Sequence, residues 1–369
     1  MLAKQALTLV LLTLSLIPVQ NAAANQPMTL RLLVWEGYAP KAQREQFIQH
    51  INKNHDVDLT ITVEHISKAE DVYTALRLKK ADVVSPSHNR INDKRFKMID
   101  SGLLLPIRIK NISNFSQLKP KFKSLPHLVK DDVHYGLPFA WGPYGLAYNP
   151  SRTSKPPNSW NALWQPEYAG LISAANYDEI NVFITALALG YDILAPNLID
   201  TLDTKLVVEK LAILIKHSRS LWVGVDNADD LEGLALAASW GFALPELRSR
   251  GEPWRWAYPA EGVPGWIDNH LIGQSLKNQP LLRHIAEQWI NYTISSEFQQ
   301  EVLVEVLGTI PVNQHVFDNV SLERRNGFYS KTFASKKTPI ILMPELDRRT
   351  RNGIKMMWAE ALLKAGSKP

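Results

Sequence analysis

Apolar positions from Thr29 onward switch between two periods. Residues 29–35 form a near-continuous apolar run that predicts a buried strand. Val57, Leu59, Ile61 and Val63 alternate strictly with polar residues, as in a half-buried strand. Between the two, residues 41–52 carry Phe47, Ile48 and Ile51 at helical spacing, with Pro40 suited to a first helical turn. Residues 68–79 predict a second helix with Val72, Tyr73 and Leu76 on one face, and ADVVSPS a short third strand stopped at Pro86. Strand, helix, strand, helix, strand predicts a parallel sheet with right-handed crossovers. Ligands of such open sheets sit beyond the carboxyl ends of the strands. That rule brings Trp35 and Glu36 of VWEGYAP near Ser87 and His88 of SPSHN.

Further along, HYGLPFAWGPYGLAYNP predicts strand segments broken by a sharp turn at Gly142 and Pro143. NSWNALWQPEYAGLISAAN predicts a short helix and then a strand, and residues 178–189 an apolar helix that starts with two carboxylates. Residues 205–216 are amphipathic through Leu206, Val207, Leu211, Leu214 and Ile215. LEGLALAASWGFALPE predicts a strand ending at Trp240, and WRWAYPAEGVPGWIDNHLIGQ two strands around a Pro/Gly turn. Residues 280–292, 296–307 and 347–364 are expected to be helical. No repeat, low-complexity tract or long linker interrupts the chain, so two lobes would be joined by extended crossing strands.

The first residues read differently. Lys4 precedes an apolar run from Ala6 to Ile17 that is too short to span a bilayer, followed by Pro18 and Ala22-Ala23-Ala24. This pattern predicts a signal peptide over residues 1–24, cleaved near Ala24, and a soluble periplasmic product. The absence of cysteine in 369 residues fits an exported chain that relies on its hydrophobic core rather than on disulfides. Net charge is +5 with both signs mixed, and the basic runs (Arg348, Arg349 and Arg351; Lys336 and Lys337) are isolated. A nucleic-acid partner is not expected from such a distribution.

Nucleophile elbows, zinc-binding HExxH pairs and both glycine-rich phosphate-binding motifs are missing, so no enzyme activity, cofactor or metal is expected. Tryptophan is what stands out: there are eleven, as many as tyrosine or phenylalanine. Core packing is the commoner role for any one of them. Trp35, Trp141, Trp240 and Trp266, however, fall at strand ends or beside glycine, positions that line clefts. Near them in the pattern are Glu36, Asp178, Glu179 and Asp268. Aromatic faces and carboxylates together suit an ammonium group and do not suit a phosphate.

VWEGYAP, ADVVSPS, YGLPFAWGPYGLAYNP, SWNALWQPEYAGLI, ASWG, GWIDNHLI and LGTIPVN occur in an order similar to the periplasmic spermidine/putrescine-binding proteins of ABC transporters. The resemblance spans essentially the whole chain after residue 24. It implies an α/β, type II periplasmic-binding fold: lobe 1 from residues 25–143 plus 259–312, and lobe 2 from 144–258 plus 313–369. It also implies a monomeric binding protein that closes on a small amine, foremost a polyamine, for delivery to a membrane permease. Close relatives that act as periplasmic sensors of a membrane-bound signalling enzyme form the alternative. The ligand-binding set that it implies is Trp35, Glu36, Tyr38, Ser87, Asn89, Asp178, Trp240, Trp266, Asp268 and Glu345. Three positions depart from the family pattern. Asn89 replaces a frequent tyrosine, Gly37 stands where an acid is expected, with Glu36 one place early, and Asn181 stands where a second acid is expected.

Overall fold

The computed structural model describes residues 26–91, 93–316 and 338–366, so the expected signal peptide lies outside the described residues. Two sheets organise the chain. The first is built from β1 (Gln26–Val34), β2 (Val57–His65) and β3 (Val83–Val84), connected through helices α1 (Lys41–Asn54) and α2 (Ala69–Arg77). β1 pairs in parallel with both β2 and β3. Leu30, Leu32, Leu33 and Val34 of β1 are buried, and β2 alternates buried Val57, Leu59 and Ile61 with exposed Asp58 and Thr60. The expected periods therefore match the faces that pack.

After the single turn α3 (His88–Ile91), β4 (Leu104–Leu105) and the hairpin β5 (Val129–Lys130) with β6 (Val133–His134), the chain enters β7 (Gly136–Pro143). β7 does not break at Gly142 and Pro143. It keeps its pairing with the later strand β13 through Gly265↔Pro143, and only Tyr144 separates it from β8 (Gly145–Tyr148). β7 belongs to the first sheet and β8 to the second. This residue is thus a crossing between lobes rather than a turn.

The second lobe holds β9 (Ile172–Ala175), α4 (Asp178–Ala188), α5 (Leu198–Thr201), α6 (Thr204–His217), β10 (Ser218–Trp222), α7 (Ala228–Leu231), β11 (Leu236–Ser239), α8 (Leu244–Ser249) and β12 (Arg255–Trp256). Its strand order is β10-β9-β11-β8-β12. The chain then returns to the first lobe through β13 (Val263–Gly273), all of whose residues are buried. α9 (Pro280–Thr293), the turn α10 (Ser296–Phe298), a π-helical stretch at Gln299–Val306 and β14 (Ile310–Pro311) follow. The first sheet runs β14-β7-β13-β3-β1-β2, with β4 and β15 (Ile340–Leu342) flanking β13. β15 pairs with Val263–Gly265, after which α11 (Arg348–Ala365) packs on α4, α5 and α6 of the second lobe. No helix among the described residues is long and apolar enough to cross a membrane.

Candidate functional site

The opening VWEGYAP forms a tight turn. Tyr38 N donates to Trp35 O at 3.2 Å, and Gly37, third in the turn, has φ +83°. A type II turn requires that left-handed geometry. A Cβ on Gly37 would also meet Leu307 Cδ2 at 2.6 Å, so an acid cannot be accommodated here without strain. Glu36, second in the turn, is exposed and does not line the cleft, which corrects its expected place in the site. Tyr38 turns inward. It is buried, and its hydroxyl donates to Asp268 Oδ2 at 2.7 Å.

Asp268 is the centre of the arrangement. It lies on β13 where the register against β7 slips between Asp268 and Asn269, leaving Phe139 as the extra residue; such a bulge re-aims the neighbouring side chain. Ser87 Oγ donates to its other oxygen at 2.6 Å. Two hydroxyl bonds are all its carboxylate receives: among the described residues no lysine or arginine is paired with it. Burial pushes its pKa up to about 6, although the bonds from Ser87 and Tyr38 work in the opposite direction.

Asp268 lines a cavity of about 420 Å³ between the lobes, together with Trp35, Ser87 and Asn89 of the first lobe and Asp178, Glu179, Trp222, Trp240 and Phe242 of the second. Trp266, two residues before Asp268 on the same strand, completes an aromatic wall. Its ring lies 6.4 Å from Trp240 and 6.2 Å from Phe242, edge-on to the former. The turn carrying Trp240 is fixed by buried Asp226, which accepts from Trp240 N at 2.9 Å and from Ser239 Oγ at 2.7 Å.

The other acids of the cavity have different surroundings. Asn181, which replaces the expected second acid, is buried and donates to Ala175 O at 2.7 Å, so it serves the fold. Glu179 carries the negative charge there instead. Its Oε2 accepts from Arg90 Nη2 at 2.6 Å and its Oε1 from Asn89 Nδ2 at 3.2 Å. Arg90 also donates to the Tyr177 hydroxyl. Burial works to lower the Arg90 pKa, but Glu179 and Tyr177 outweigh it and raise the value. Asp178 is half-buried at the start of α4 and has no basic partner among the described residues. Glu345 is exposed and outside the cavity lining, so it too is removed from the site.

His88 was expected near Ser87 and is, but it faces away from the cleft. Its Nδ1 accepts from Ile267 N at 3.3 Å, which leaves Nε2 to donate to Met343 O at 2.9 Å. Trp141 packs beneath Lys121 Nζ, 3.7 Å from its ring, and does not line the cavity. Residues missed by sequence reasoning are Arg90, Trp222 and Phe242. Arg90 was hidden because its neighbour SPSHN reads as a loop, and only folding brings its partner Glu179 across the cleft. Among the described residues, no group of histidines and acids could hold a metal ion.

Two α/β lobes, crossing strands and an aromatic cavity between them, lined by the acids Glu70, Asp178, Glu179 and Asp268 and by the basic residues Lys68, Arg90, Arg351 and Lys355, define a protein that encloses a small ligand. The chain belongs to the family of bacterial extracellular solute-binding proteins, whose model matches residues 79–337. It is 26% identical over 298 residues to the spermidine/putrescine-binding periplasmic protein of Escherichia coli, covering 78% of each chain. The putative spermidine/putrescine ABC transporter structure from Listeria monocytogenes superposes with a TM-score of 0.73 at 20% identity, over 90% of this chain and 98% of that one. The spermidine/putrescine substrate-binding protein of Streptococcus pneumoniae gives 0.68 at 20% identity, over 91% and 99%. The type II fold expected from the resemblance is thereby the observed one, and the chain is a solute-binding protein of the ABC-transporter type. Its family and structural neighbours are substrate-binding proteins, not enzymes.

Proposed function

We propose that this protein captures a small amine in the periplasm and delivers it to an ABC permease. The observation that carries the reading is Asp268: a buried carboxylate lining an aromatic cavity, held by two hydroxyls and given no basic partner among the described residues. A buried charge without a partner costs several kcal/mol, roughly 3–5 by mutational precedent, and a ligand ammonium is the group that relieves it. Trp240 and Trp266 supply ring faces and edges for the attached alkyl chain and cation. The relatives' names make polyamines the first class to test. Trp35, Ser87, Asn89, Asp178, Trp240, Trp266 and Asp268 form the proposed ligand shell, with Tyr38 behind it.

Isothermal titration and thermal shift with spermidine, putrescine and simple alkylamines test the reading. Heat and an upward melting shift from at least one of them are expected. No response from any amine would contradict it. Deleting the gene should lower cellular uptake of the bound amine, whereas unchanged uptake would favour the sensing role.

A further inference from the structure

The cleft brings more acids together than it leaves available. Glu179 has both oxygens engaged, one by Arg90 and one by Asn89. Glu70, also on the cavity lining, is paired with Arg95 at 3.2 Å. Behind them Asp93 is shared by Arg95 and Arg351, each at 2.8 Å, and reached by Arg90 at 4.0 Å. Three arginines thus face three acids, and the cluster is charge-balanced without any ligand. Arg90 is 6% exposed and comes from α3 of the first lobe, while Glu179 is 3% exposed and starts α4 of the second. The pair spans the cleft in the way a ligand would.

We infer that Arg90 is a resident cation occupying the second acidic position of the cleft, so that this protein selects amines bearing one ammonium group, at Asp268, over those bearing two. The inference rests on the amine reading above and narrows it. An ammonium approaching Glu179 meets the Arg90 guanidinium already in place, with like charge and no free carboxylate oxygen. Asp178 is a poor substitute because it is half-exposed and already solvated, and exposed ion pairs contribute little. The same Arg90–Glu179 contact links the lobes, which makes it a ligand-independent tie across the cleft.

The test is calorimetry with chain-matched pairs, n-butylamine against putrescine and n-pentylamine against cadaverine, on the wild type, Arg90→Gln and the double variant Arg90→Gln/Glu179→Gln. In the wild type the diamine is expected to bind no more tightly than the monoamine. Arg90→Gln should improve diamine affinity about tenfold relative to the monoamine, since Glu179 becomes a buried acid in search of a cation. The double variant should return the ratio to the wild-type value. A wild-type preference for diamines of about tenfold or more, or a ratio unmoved by Arg90→Gln, would overturn the inference. The wild-type ratio decides the case alone if Arg90→Gln fails to fold. Monoamine binding lost in Asp268→Asn, alongside an unmoved ratio, would overturn only this inference; no amine binding at all would overturn the amine reading with it.

Discussion

Asp268 and Glu179 are both buried carboxylates on one cavity, and they differ in what faces them. Glu179 receives a guanidinium and an amide from its own chain. Asp268 receives two hydroxyls, which orient the carboxylate without neutralising it. The first acid is finished by folding; in the proposed function the second is finished by the ligand. Residue type and burial alone do not distinguish a structural acid from a binding one; the partner does.

The sharpest way to break that contrast is Asp268→Asn. Amine affinity should fall about a thousandfold or more, because a buried ammonium would lose its counter-charge. The ligand-free protein should at the same time become more stable at neutral pH. Asp268 has its folded pKa raised above the unfolded value, so its ionised form opposes folding above about pH 6, and that penalty fades as pH falls toward 4. A shift of this size corresponds to about 3 kcal/mol, and a higher melting temperature for Asp268→Asn is the readout. A lower melting temperature together with retained binding would place Asp268 with Glu179 among the structural acids.

Trp240→Ala comes next. Loss of a ring that stands edge-on to Trp266 should weaken amine binding by about ten- to a hundredfold in calorimetry; an unchanged affinity would reduce the aromatic wall to packing. Gly37→Asp would install the acid that the family pattern expects. It should instead cost about 2 kcal/mol of stability in denaturant titration, without tightening any amine, because φ +83° and Leu307 oppose a side chain. Tyr38→Phe is the smallest change. It removes one charge-assisted bond to Asp268 and should reduce affinity about fivefold, while raising the pH at which binding fades.

Much of this contrast was legible beforehand in outline. Strict alternation in β2 and the apolar run of β1 are period-2 signals, and the rule for open sheets put Trp35 and Ser87 at one strand end. Asp268, Trp240 and Trp266 emerged from residue type and family order. What stayed hidden depends on geometry across the chain. Glu36 and Tyr38, both expected in the site, part ways because a positive-φ glycine between them turns one to solvent and the other inward. Glu345 falls near the cleft in sequence order yet ends exposed just before α11. Arg90 and Glu179 are 89 residues apart, and no local pattern announces their pairing. Gly142 and Pro143 predict a turn because Gly-Pro usually marks one, whereas pairing of β7 with β13 continues through Pro143.

Calorimetry of the wild type with its best-binding amine between pH 5 and pH 8 addresses the central claim most directly. If the Asp268 carboxylate anchors the ligand, affinity should be level above about pH 7 and fall about tenfold per unit below about pH 6, with proton release on binding near that value. The buried histidines beside it, His88 and His127, are held down to about 4 and His270 to about 3 by burial, so they stay neutral across most of the range. An affinity that does not change between pH 5 and pH 8 would contradict the account.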